Sequence, residues 1–486
     1  MKKLLAVVLA VVMVFGCLTG CGEKVDPTDA PKATDAPKAT EAPKETEAPG
    51  EEVKSDWLGT EDGKTITLSF WGGLSPDYGY DKMVENFNAE YKDRGLQVEY
   101  TRYVNDSDGN LQLETQVMSG TVDVFMGYGG RTTLDKRVEA NLVLEMSDEL
   151  EARNFDVYKE LGAGAMANFT YDDGSVYGFP TKYENARWLL INVDMFNAAG
   201  VEIPYDGWSY SEFLAAVEKL TTGEGQDKIY GISWTLDYSQ TGVKGIMGSV
   251  LGKYNMYKDD AATAVNYDNP VYIQGLEMVN TTLQNGWAIP IEDEVSEKLS
   301  PLNCFVLGKC AMSTNIASWT ACMNKETYPH EFTTALVPGP VPDGAEYESE
   351  FYRTHAVVAG AGDLICVAGK TEHVEQSIEF VQWYLQGGMA PLATKGRIPL
   401  WTGLDKAVIT DQIKANAAGT IDEKSMNAYL SIDSTMGQKS VSGSIDSQLN
   451  TVWKEEFEAM CYGRQSPEQT AANMTARCNE LLANAK

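Results

Sequence analysis

The sequence predicts an α/β protein of two lobes joined by several crossing segments. Three observations predict it. The chain, at 486 residues, is longer than one hydrophobic core usually serves. Apolar patterns of strand period are followed repeatedly by patterns of helical period, which implies mainly parallel sheet covered by helices. Between Tyr177 and Asn192 an apolar strand runs into a short polar and aromatic interval and emerges as another apolar strand. A turn at Tyr171-Asp172-Asp173-Gly174 precedes this stretch, and Val193-Asp194-Met195-Phe196 starts a helix after it. Such an interval reads as a hinge between two cores, although an ordinary strand pair inside one core would look the same from this segment alone.

The first strand is Lys64–Trp71, which alternates and stops at Gly72-Gly73. Met83, Val84, Phe87 and Tyr91 recur at helical spacing, Gly95 can cap the end, and Leu96, Val98 and Tyr100 alternate again. A second helix carries Leu111, Leu113, Val117 and Met118 and leads to a buried strand, Gly120–Met126, that ends in Gly127-Tyr128-Gly129-Gly130-Arg131. Beyond the interval, Ser209-Tyr210-Ser211-Glu212 fits a capping box, and Phe213, Val217 and Leu220 form the stripe of the helix it starts. Strand-like Tyr230–Trp234 follows, then a helix marked by Leu276, Val279 and Leu283, then Phe305–Ser313 leading to Ser318-Trp319. Two further crossovers are expected at His355–Gly360 and Gly396–Trp401. Near the C-terminus, Ser466-Pro467-Glu468-Gln469 combines an N-cap serine, proline at the first helical position and glutamine at the third.

With 70 acidic against 39 basic residues the formal net charge is -31, and removing Lys2 and Lys3 leaves -33, so nucleic acid is not an expected partner. Those two lysines precede an apolar run from Leu4 to Phe15, too short to span a bilayer but suited to a secretory signal. The run ends in Leu18-Thr19-Gly20-Cys21, which resembles the lipobox of bacterial lipoproteins and implies cleavage after residue 20 and a lipid on Cys21. Cys17 competes, but bulky Phe15 fits that pattern poorly. From 21 to 56 the chain is rich in Pro, Ala, Thr and acid, with Thr28–Lys32 echoed at Thr34–Lys38 and Thr40–Lys44. Such a stretch cannot build a core and reads as a tether.

Several fragments in order resemble the family 1 extracellular solute-binding proteins, the sugar-capturing lipoproteins of bacterial ATP-driven importers. They are Phe70-Trp71-Gly72, Ser119–Val124, Asp173–Pro180, Ile191–Phe196, Leu307–Met312, Pro338-Gly339-Pro340 and Gly396–Pro399. The resemblance implies a periplasmic-binding-protein-like fold with ligand in the cleft between lobes. On that fold, lobe 1 covers 57–182 and 360–396, lobe 2 covers 187–355 and 400–486, and the crossovers are 183–186, 356–359 and 397–399. A monomer without cofactor is expected, with no residue singled out as a metal ligand, held by its lipid at the extracellular face of the cell membrane. There it would pass a carbohydrate, an oligosaccharide, to permease subunits. The chain departs from the pattern in having Val122 where the family commonly has proline, and Gly129-Gly130 where maltose-type members carry a sugar-contacting acid, although Arg131 still follows.

A sugar site needs flat aromatic surfaces beside a few fixed polar groups. Trp71, Tyr128, Tyr183, Trp234, Trp319 and Trp401 stand near strand ends or crossovers, where open α/β sheets bind ligands. For each of them core packing is an equal alternative. Trp71, Tyr183 and Trp319 match ligand positions of the family, whereas Trp188 and Trp208 read as packing. Glu184 and Arg397 fall in crossovers and join the ligand set with Arg131, the alternative being a hinge ion pair between Glu184 and Arg397. No enzyme is expected: the three histidines fall in no metal or triad-like spacing and no local motif singles out a carboxylate pair. A surface lectin or adhesin, or less favourably a glycoside hydrolase, is the alternative function. Cys304, Cys310, Cys322, Cys366, Cys461 and Cys478 read as buried thiols or as disulfide partners, Cys461 with Cys478 being the easiest pair.

Overall fold

The computed structural model describes residues 56–484, except 167, 183–186, 235–241, 249, 252–255, 260, 298–300, 315, 327, 350–351, 354–362, 418 and 432–442. The signal segment, Cys21, nearly all of the tether, and the crossovers 183–186 and 356–359 with Tyr183 and Glu184 therefore lie outside the described residues. Nine strands are described: β1 (Ile66–Gly72), β2 (Leu96–Arg102), β3 (Val124–Gly127), β4 (Phe179–Pro180), β5 (Leu189–Asn192), β6 (Tyr230–Ser233), β7 (Cys310–Ser313), β8 (Thr334–Val337) and β9 (Leu364–Val367).

They form two sheets. The first has the order β2-β1-β3-β9-β4, with β1 parallel to β2 and β3, and β9 antiparallel to both neighbours, so β9 alone runs against the others. Alternation in β1 decides which side chains meet which layer. Leu68 and Phe70 face the helices Tyr80–Tyr91 and Val374–Trp383, while Trp71 packs on the opposite layer against helix Ser107–Met118. On that helix Leu113 and Val117 are buried, but Leu111 and Met118 are 64% and 68% exposed. Residues 111 and 118 share one face at helical spacing, and this face turns to solvent because the sheet takes the other.

The second sheet has the order β6-β7-β5-β8, with β5 antiparallel to β7 and β8 and β6 parallel to β7. Helix Tyr210–Leu220 starts at a complete capping box: Ser209 Oγ accepts from the Glu212 N–H, and the Glu212 carboxylate accepts from the Ser209 N–H at 2.7 Å. Two orphan donors are satisfied there, and Phe213, Val217 and Leu220 enter the core. Helices Pro270–Gln284, Gly443–Cys461 and Pro467–Asn484 close the same core around Trp453 and Phe457. The last of them begins with the Ser466 hydroxyl accepting from the Gln469 N–H.

The largest apolar cluster is continuous from Phe70 and Phe380 at the first sheet to Trp188, Trp319 and Tyr429 at the second. Helix Gly443–Cys461 also lies beside helix Gly130–Glu139. Trp188 and Trp208 are buried, the latter donating its indole N–H to the Pro338 carbonyl at 2.9 Å. All six cysteines of the folded part are buried free thiols, with burial pushing Cys366 and Cys322 up to about 12.

Candidate functional site

The chain passes between the sheets after β4 and before β9, and residues flanking both passages meet residues 397–400 at one edge of the first sheet. The Thr181 N–H donates to the Asp363 carbonyl at 3.1 Å, and the Leu400 N–H donates to the Thr181 carbonyl at 3.3 Å. Lys182 and Pro399 pair as an isolated antiparallel bridge. Side chains reinforce this backbone contact. The Asp363 carboxylate accepts from the Arg397 guanidinium, and Lys182 Nζ stands 3.8 Å from the same oxygen. These three side chains are between 15% and 18% exposed, so the pairing is only partly screened by water. Burial opposes the charge on Arg397, but Asp363 and the surrounding tyrosines outweigh it and raise its pKa.

Tyrosines line this charged knot on the side of the first lobe. Tyr128, which follows β3, accepts from the Gly73 N–H at 3.0 Å, and burial with the nearby Asp363 charge pushes its pKa up to about 12. Tyr80 and Tyr100 stack at 4.4 Å, and burial raises both of their pKa values, so their hydroxyls stay protonated. The turn Ile316–Met323 packs against β5 and β8 of the second sheet. Trp319 is 3% exposed, with its ring 6.1 Å from Tyr429 and its other edge at Gly396. Gly396 has φ +85, and a Cβ there would lie 2.0 Å from Thr320 Cγ2 and 3.3 Å from Trp319 Cζ2. Both the backbone conformation and this close approach require glycine beside Arg397.

A second clamp sits on the other side of the crossings. Arg187, 1% exposed, follows the first crossing and donates to the carbonyls of Gly339 at 2.8 Å, Arg353 at 3.3 Å, and Tyr352. Residues 352 and 353 precede the second crossing, so one guanidinium joins the roots of two segments. Burial lowers its pKa from the ordinary arginine value.

The structure brings Tyr128, Trp319 and Arg397 to this junction, and Tyr183 and Glu184 follow Lys182 in the chain. Four other candidates sit elsewhere. Trp71 is half-buried on the side of the first sheet covered by helix Ser107–Met118, its indole N–H donating to Ser69 Oγ at 3.0 Å. Arg131 pairs with Asp135 at 2.6 Å, donates to the Asn168 carbonyl and lies 3.7 Å above the Tyr171 ring, so its charge is spent fastening helix Gly130–Glu139 to residues 168–171. Trp234 is 0% exposed in the second core, because helix Pro270–Gln284 covers the strand end and Thr282 Oγ1 takes its N–H at 2.8 Å. Trp401 turns outward beside Gly387 and donates to Glu160 at 2.8 Å.

Sequence reasoning missed Asp363, Lys182 and Arg187. Asp363 stands between a small-residue loop and the apolar strand Leu364–Val367, a position where a lone acid is a usable signal. The carbonyl partners of Arg187 leave no signal in side-chain identity. Among the described residues no group of three or more His, Cys, Asp or Glu could hold a metal ion, and no helix is long and apolar enough to cross a membrane.

Residues 82–420 match the family model described as bacterial extracellular solute-binding protein. The chain belongs to this family. Among solved structures, the solute-binding protein is similar to a sugar transporter from Rhizobium etli in an open conformation, with a TM-score of 0.65 and 19% identity over 87% of this chain and 100% of the other. It is similar to an ABC substrate-binding protein from Listeria monocytogenes in complex with cycloalternan, with a TM-score of 0.63 and 17% identity over 86% and 99% of the two chains. A third is the GacH receptor of Streptomyces glaucescens, studied unliganded and with acarbose, with a TM-score of 0.60 and 17% identity over 87% and 100%. At such identities the likeness is one of fold, the two-lobed α/β architecture of extracellular binding proteins. No curated protein matches the chain at a significant level.

Proposed function

We propose that this solute-binding protein captures an oligosaccharide between its two lobes and delivers it to the permease subunits of an ATP-driven importer, without catalysing a reaction. The juxtaposition of Trp319, Gly396 and Arg397 at the three crossings carries the reading. A sugar ring offers an apolar C–H face to an indole and hydroxyls to charged and phenolic groups, and the junction holds both kinds of partner. Family membership supports it, as do fold neighbours in complex with cycloalternan and acarbose and a chitin oligosaccharide binding protein. In this reading lobe 1 comprises 57–182 and 360–396, lobe 2 comprises 187–355 and 400–486, and 183–186, 356–359 and 397–399 are the hinges. Opening lifts Trp319 from Gly396, and Tyr128, Tyr183, Glu184 and Arg397 meet the ligand with it.

A thermal-shift screen across mono- and oligosaccharides tests this, because a ligand selective for the folded state at a hundred times its Kd adds about 2.7 kcal/mol of stability. A selective rise in Tm with one class of oligosaccharide is expected. No rise with any sugar would overturn the carbohydrate reading.

From the lipobox-like Leu18–Cys21 we also propose a mature N-terminus at a lipidated Cys21, with 21–56 as a tether that keeps the monomeric binding lobes at the extracellular face of the cell membrane. Intact mass of the membrane-extracted protein checks this. An unlipidated N-terminus, or one at Cys17, would contradict it.

A further inference from the structure

On the helical layer beside the first sheet lies a groove of about 960 Å³, bordered by helices Tyr80–Tyr91 and Val374–Trp383, the turn that follows, and Trp401. It shares no lining residue with Tyr128, Lys182, Trp319, Asp363 or Arg397. Two half-buried indoles, Trp383 and Trp401, line it. Each has its N–H already engaged at 2.8 Å, Trp383 with the Glu90 carboxylate and Trp401 with that of Glu160. Trp383 is further anchored on Phe87, 5.0 Å away in an edge contact. The engaged N–H groups thus fix the orientation of both rings.

The peptide Gly387-Gly388 joins them. A Cβ at Gly388 would lie 2.3 Å from Trp383 Cε3, and one at Gly387, where φ is +103, would lie 3.1 Å from Trp401 Cζ3. Bare backbone therefore packs against both indoles and bridges them. Around it stand the amides of Asn86, Gln382 and Gln386. One end is closed by Glu379, which accepts from Arg153 at 2.6 Å, Arg94 at 2.8 Å and the Tyr91 hydroxyl at 2.8 Å.

We propose that this groove is a second carbohydrate site, in which Trp383 and Trp401 take the apolar faces of pyranose rings and the rim amides take their hydroxyls. Locked rings of this kind bind with little loss of side-chain entropy, and amides can both donate to and accept from hydroxyls. An extended peptide has less to gain, because no lining residue belongs to a strand that could pair with its backbone. The inference does not rest on the cleft being a sugar site.

Fluorine NMR of the full chain labelled with 5-fluorotryptophan reads the groove directly, with the Trp383 and Trp401 signals assigned from the Trp383→Phe and Trp401→Phe variants. Titration with maltohexaose, cellohexaose and chitohexaose at millimolar concentration is expected to move both signals for at least one sugar. Trp401→Ala should weaken that binding by about tenfold or more, and Trp401→Phe by less, since a ring remains. Should Trp401→Ala fail to fold, the surface pair Asn86→Ala with Gln382→Ala should still weaken it severalfold. Signals unmoved by all three sugars, or moved with unchanged affinity in these variants, would overturn the proposal.

Discussion

Arg187→Met is expected to lower folding stability by about 3 kcal/mol or more, although methionine fills much of the same volume. The guanidinium is 1% exposed and serves the carbonyls of Gly339, Tyr352 and Arg353 together. A thioether donates nothing, so buried acceptors at the roots of two crossings lose their partner at once, each at a desolvation cost of about 1–3 kcal/mol. The comparison is Arg353→Met. Arg353 pairs with Glu212 and Glu348, carboxylates that are each 58% exposed, and donates to a single carbonyl, that of Gly207 at 3.0 Å, so its loss should be smaller: such screened pairs contribute about 0–1 kcal/mol and one hydrogen bond about 1 kcal/mol. Denaturant midpoints of the two variants check the contrast, and equal losses would mean that Arg187 is not the clamp described.

Trp319→Ala is expected to cost about 3–5 kcal/mol of folding stability, as truncation of a buried indole does. The ring is 3% exposed between Tyr429 and Gly396, so its removal leaves a cavity between them. If the ring is also the sugar platform, affinity should fall by about 2 kcal/mol or more, at least tenfold. Calorimetric titration paired with the denaturant midpoint separates the two roles. Near-normal affinity in a strongly destabilised protein would assign Trp319 to packing alone.

Much of the fold was legible because local chemistry and periodicity agreed. The capping box at Ser209, the β1 alternation and the proline-led C-terminal helix each form where their residues require. Helix Ser107–Met118 was legible as a helix but not in its orientation, since Leu111 with Met118 and Leu113 with Val117 offer two apolar pairs at helical spacing. The site was less legible. An arginine in a crossover announces that it needs a partner, but not that Asp363, 34 residues earlier, will be that partner. Trp234 and Trp401 stand at similar places in the sequence pattern, and tertiary packing alone sends one into a core and the other outward.

Hinged capture of a sugar is tested most directly by small-angle scattering of the protein with and without the oligosaccharide that gives the largest thermal shift. Crossings at 183–186, 356–359 and 397–399 would let each lobe turn as a unit, so saturation should give a smaller radius of gyration with each lobe's internal dimensions unchanged. An unchanged radius at full saturation would contradict closure of the lobes around the sugar.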